Sequence, residues 1–116
     1  MPGALDGLLV VEVGDFFSAA YCSKLLADLG ADVIKVEPPS GDRARRYGPF
    51  RDDIPDLEAS GMFIYLNTNK QGMVLDLANE DAREILDGLL RQADVLVENL
   101  EPADLARLGR VRVEQR

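Results

Sequence analysis

The chain predicts an α/β fold: a Rossmann-like open parallel sheet of about four strands with helices on both faces. Three observations carry this. Residues 8–13 (Leu-Leu-Val-Val-Glu-Val) form a near-continuous apolar run, as expected of a strand covered on both sides. Residues 25–37 read as the end of an amphipathic helix, a glycine stop at Gly30 and a second buried strand, completing a strand-helix-strand unit. The same alternation returns between Met73 and Glu98.

In order, the first strand is residues 8–13, broken by Gly14-Asp15. The first helix runs from about Phe17 to Leu29. Ser18, Cys22, Leu25, Leu26 and Leu29 recur at three- and four-residue spacing and predict its packed stripe, which makes Cys22 an inert core thiol. Gly30 supplies a left-handed stop. Asp32–Glu37 is the second strand, with Lys35 alternating outward in a covering or salt-bridging role. Pro38-Pro39-Ser40-Gly41-Asp42 is a stiff turn, and residues 47–61 read as a long surface loop. Met62–Leu66 is a short strand or a helical turn, and Met73–Leu77 is the third strand. Asn79 is a good N-cap, followed by Glu80 and Asp81 and a helix with Ala82, Ile85, Leu86, Leu89 and Leu90 on one face. Val95–Glu98 is the fourth strand. Glu101-Pro102 opens a last short helix, with Leu105 and Leu108 inward and Gly109 as its stop. One domain over residues 1–110 with a polar tail at 111–116 is the expected organisation.

The 116 residues carry a net charge of −8, which argues against a nucleic-acid partner, since that needs a basic footprint. A single cysteine allows no internal disulfide, and no apolar stretch reaches membrane-spanning length, so a cytoplasmic, membrane-free setting is expected. No histidine is present, which removes His triads and His-ligated metal within these residues.

Ligands on open parallel sheets bind beyond the carboxyl ends of the strands. Three loops leave such ends: 14–18, 37–46 and 99–101. Neither GxGxxG nor GxxxxGK[ST] occurs, so a standard dinucleotide or P-loop site is not indicated. Arg43, Arg45 and Arg46 either grip phosphate by bidentate bonds or form a solvated counterweight to an acidic chain. Asn99-Leu100-Glu101 either presents backbone N–H groups to a ligand or simply caps a helix. Asp15 and Glu37 are strand-end carboxylates suited to a base or to a turn and cap.

Several separated pieces then share one pattern: Leu5-Asp6-Gly7, residues 26–37 (LADLGADVIKVE), Gly41-Asp42 with Arg46 and Gly48-Pro49, Asn69-Lys70, Leu75-Asp76-Leu77, residues 93–99 (ADVLVEN) and Arg107-Leu108-Gly109. In this order they resemble the N-terminal portion of the family III coenzyme A (CoA) transferases, the CaiB/BaiF and formyl-CoA transferase type. The related acyl-CoA racemases share much of the pattern, while residues 63–70 (FIYLNTNK) look more like the transferase branch.

The resemblance implies a CoA-binding Rossmann-like portion of an enzyme that moves CoA between an acyl-CoA and a carboxylic acid, working as a homodimer or with a partner subunit. It places CoA contacts on Phe17, Ser18, Pro38, Leu75, Asp76, Leu77, Ala78, Asn99, Leu100, Glu101 and Arg107. It assigns no metal and no catalytic residue here, because the family's nucleophilic aspartate falls downstream of Arg116. A chain inactive alone, or a non-catalytic CoA-binding module, is therefore also expected. Two departures stand out. The family often has a polar residue where Phe17 stands and an arginine where Pro38 stands. Proline brings neither charge nor donor, so one phosphate contact is either lost or moved, with Arg43 and Arg46 in the right loop to take it.

Overall fold

A computed structural model describes residues 3–104. The expectations for Leu105, Arg107, Leu108, Gly109 and the tail lie outside the described residues.

Four strands form one parallel sheet: β1 (Leu9–Val13), β2 (Asp32–Glu37), β3 (Gln71–Val74) and β4 (Val95–Glu98), in the spatial order β3-β2-β1-β4. Three α-helices accompany them: α1 (Ser18–Asp28), α2 (Gly61–Asn67) and α3 (Glu80–Gln92). Side chains alternate across the pleat. Val11, Val13 and Val36 therefore face α3, where they pack with Ala82 and Leu86. Val10 and Val33 face the opposite side and pack with Ala27 and Ala31. Helices cover both faces, as the apolar strands require.

Local chemistry sets the boundaries. Asn79 caps α3 by accepting the Asp81 amide at 2.8 Å, and Ser60 caps α2 by accepting the Phe63 amide at 3.1 Å. Met62–Leu66 is thus helical. The 47–61 stretch is not featureless: it carries a 3₁₀ turn at Arg51–Asp53, after another at Arg43–Arg46. β3 starts two residues earlier than Met73 and ends at Val74, although the Leu75 amide still donates to the Glu37 carbonyl at 2.9 Å. Residues 102–104 are helical, as the Glu101-Pro102 start implies.

α1 departs from expectation. It buries Ala19, Ala20, Ser23 and Ala27, not the stripe of larger residues. Cys22 is exposed, and Phe17, Tyr21, Leu25 and Leu29 form a half-exposed apolar ridge at four-residue spacing. Small residues let the helix lie close over Glu12, which accepts from Ser23 Oγ at 2.5 Å. A leucine at position 23 would leave that carboxylate without the hydroxyl.

Candidate functional site

The strand order reverses between β2 and β4 on either side of β1, so β1 flanks the topological switch point. A cavity of about 300 Å³ opens beyond the carboxyl ends of the strands there. Val13, Val36, Leu75, Leu77 and Leu100 give it an apolar floor. Gly14 and Asp15 line it from the β1 loop, Pro38, Ser40 and Gly41 from the β2 exit, and Arg43 and Arg46 bring positive charge. Small-ligand sites share this character, mostly apolar with a few placed polar groups.

Of the residues nominated from sequence, Leu75, Leu77, Leu100 and Pro38 line this cavity; Phe17, Ser18, Asp76, Ala78, Asn99 and Glu101 do not. Arg107 lies outside the described residues. Ser18 and Asn99 instead brace the cavity's wall. The Asn99 amide accepts the Asp15 N–H at 2.9 Å and donates to the Asp15 carbonyl at 2.7 Å and to Ser18 Oγ at 2.9 Å. One side chain from the end of β4 thus holds the loop leaving β1. Gly14 is needed for this approach, since a Cβ there would stand 2.4 Å from Asn99 Oδ1. Asp76 accepts the Ala78 amide at 3.1 Å in a turn, and Phe17 stacks on Tyr21 with centroids 5.7 Å apart.

The three arginines have separate duties. Arg45 is a structural staple: it grips Glu37 by two bonds of 2.8 Å, donates to the Leu57 carbonyl at 2.8 Å and lies 3.7 Å from the Phe63 ring centroid. Arg43 pairs with Asp15 through its backbone amide at 2.7 Å and Nε at 2.6 Å, so both oxygens of the cavity's one lining carboxylate are occupied. Arg46 donates to the Ser40 carbonyl at 3.0 Å and makes no ion pair among the described residues. It is the cation on the rim with charge to spare.

Under α1 lies a set of buried charges that sequence reasoning missed. Glu12 accepts from Lys35 Nζ and Lys70 Nζ, each at 2.7 Å. Lys35 Nζ also stands 2.7 Å from Asp42 Oδ2. Lys35 is 2% exposed, which corrects its outward placement, while its salt-bridging role holds. Burial disfavours the Glu12 charge, but the Lys35 ammonium, with bonds from Lys35, Lys70 and Ser23, more than compensates and holds the carboxyl below its ordinary range. Burial likewise acts against Lys35, and Glu12 and Asp42 reverse it, raising its pKa. For Lys70 burial wins over the Glu12 bond and lowers the pKa. One signal was available: Glu12 is the sole charge within the first apolar run.

Among the described residues no group of three or more His, Cys, Asp or Glu side chains is placed to hold a metal, and no helix is long and apolar enough to cross a membrane.

A family model described as CoA-transferase family III matches residues 5–112. The chain belongs to CoA-transferase family III. It is 40% identical over 105 residues to a succinyl-CoA:mesaconate CoA-transferase of Haloarcula hispanica, covering 90% of this chain and 26% of that enzyme. It is 46% identical over 110 residues to a formyl-CoA:oxalate CoA-transferase of Rhodopseudomonas palustris, covering 94% and 25%. A crystal structure of a CaiB/BaiF family protein from Brucella suis superposes with a TM-score of 0.82 at 35% identity, over 94% of this chain and 29% of that one. The chain spans about a quarter of the length of these family III relatives.

Proposed function

We propose that this chain is the CoA-binding N-terminal portion of a transferase that moves CoA between an acyl-CoA and a carboxylic acid. The observation that carries the reading is the cavity at the switch point of a family III fold, apolar in its floor and cationic at its rim. The floor suits the pantetheine arm, and Arg46 suits a phosphate where Pro38 cannot contribute. The resemblance puts the nucleophile that attacks the thioester outside the described residues, and the one lining carboxylate, Asp15, is taken up by Arg43. Residues 1–110 act as one unit in this reading, in the cytoplasm. The apolar ridge on α1 favours assembly as a homodimer or with a partner subunit.

Calorimetry tests the binding half. CoA is expected to bind, and Arg46→Gln to weaken it about tenfold through loss of one charge-assisted contact. A CoA-exchange assay on the full gene product tests the transfer half. The relatives' names make succinyl-CoA and formyl-CoA the donors, and mesaconate and oxalate the acceptors, to try first. A chain that ignores CoA altogether overturns the binding half. CoA binding without exchange leaves a non-catalytic binding portion.

A further inference from the structure

Two loop segments wall the cavity: residues 14–17 after β1, and residues 38–46 after β2. Asp42 stands between them, 2% exposed. Its Oδ1 accepts the Phe16 amide of one wall at 2.9 Å and the Ala44 amide of its own wall at 2.8 Å. Phe16 has φ +67°, a left-handed conformation uncommon outside glycine. Such a residue persists only where its neighbours over-determine it. Asp42 supplies the bond to its amide.

The carboxylate is itself fixed. The Asp42 amide donates to Glu37 Oε2 at 2.9 Å, and Oδ2 lies against Lys35, which Glu12 holds from the other side. Asp42 is thus anchored to β2 while its free oxygen reaches across to the β1 loop.

We infer that Asp42 is a positioning residue: Oδ1, alongside the Arg43–Asp15 pair, sets the gap between the two walls and so pre-forms the cavity. The benefit to ligand rests on the CoA reading above; the docking of the two loops does not. A pre-formed gap lowers the ordering cost that binding must meet.

The test uses the full chain with CoA as probe, and two readouts: hydrogen exchange at the Phe16 amide, and the CoA dissociation constant. Asp42→Ala removes both oxygens. Asp42→Asn keeps an acceptor for the two amides but loses the charge facing Lys35. Val33→Ala, on the opposite face of β2 among Val10, Ala27 and Ala31, removes buried apolar contacts away from the cavity and controls for general loss of stability. In Asp42→Ala, Phe16 exchange is expected to quicken and CoA to bind more weakly, each about tenfold or more, the scale of one buried hydrogen bond. In Asp42→Asn and Val33→Ala both readouts stay within about threefold, even as stability falls. Should Asp42→Ala not fold, Asp42→Ser, too short to span to Phe16, takes its place. Wild-type Phe16 protection in the truncated variant overturns the inference. So does an equal loss in Val33→Ala. If the wild type does not bind CoA, the functional reading fails while the exchange measurement still decides the docking.

Discussion

Asn99 ties the end of β4 to the loop after β1 with three hydrogen bonds, and Gly14 makes room for it. Adding one methyl at position 14 would also bring it 2.8 Å from the Ala19 Cβ. Neither neighbour is a free-swinging tip: one is bonded, the other is on α1. Gly14→Ala is therefore expected to destabilise by about 1–3 kcal/mol, as overpacking does, in urea unfolding monitored by circular dichroism. Sequence could place Asn99 at a strand tip but not show what its amide holds. Its partners lie 81 and 84 residues away, and nothing in the local spacing encodes that meeting. Leu75, Leu77 and Leu100 were legible through the family resemblance rather than from local pattern, and they form part of the cavity's floor.

At the scale of elements, the two long helices teach opposite lessons. α3 reads largely true: Ala82 and Leu86 are buried and Leu89 and Leu90 pack against the same cluster, as periodicity puts them, while Ile85, expected on the same face, is 54% exposed. α1 does not, because the surface beneath it is a carboxylate between two lysines, and a helix over such a floor buries small and hydroxylated residues. Of the larger apolar residues, Phe17, Tyr21, Leu25 and Leu29 are left on the ridge, while Leu26 packs against Val10, Ala27, Ala31 and Val33. Leu86→Ala is expected to cost about 2–5 kcal/mol and Leu25→Ala under about 1 kcal/mol, since Leu25 is 46% exposed. Denaturant midpoints at constant slope measure both. Equal costs would mean the ridge is packed in solution. β1, β2 and β4 were readable from their β-branched runs. β3 was shifted because Gln71-Gly72 carries no apolar signal, and its pairing with Ile34 and Lys35 of β2 is a long-range fact.

Across the whole molecule, Glu12, Glu37 and Asp42 face Lys35, Arg45 and Lys70 in a set that links β1, β2, the first 3₁₀ turn and the entry to β3. Burial opposes ionisation of all three carboxyls, and their cationic and hydrogen-bonding partners overcome it, so all three titrate below the ordinary range. The sign follows by linkage. A depressed carboxyl adds stability that is present above its unfolded pKa and lost as pH falls through the folded one. Stability is therefore expected to decline as pH drops below about 4.5, the upper end of unfolded carboxyl values, and further as the native carboxyls take up protons. Lys35, raised by its partners, contributes oppositely: its share is whole below its unfolded pKa and fades as pH rises through the native value. Urea unfolding across acid pH checks the first limb, and Glu12→Gln should flatten it. A wild-type curve level down to pH 3 would contradict this. The set was invisible in sequence because Lys35 and Lys70 stand 23 and 58 residues from the carboxylate they share.

Three buried acids set against Lys35, Lys70 and a half-buried Arg45 also constrain how such a chain drifts over generations. Removing Glu12 leaves Lys35 and Lys70 short of a counter-charge, and removing Arg45 strands the buried Glu37, each of which costs far more than an apolar replacement of the pair would. Single substitutions are blocked in both directions, so descendants are expected to keep all six or to shed them in matched couples. Such entrenchment needs no role for these side chains in chemistry at all.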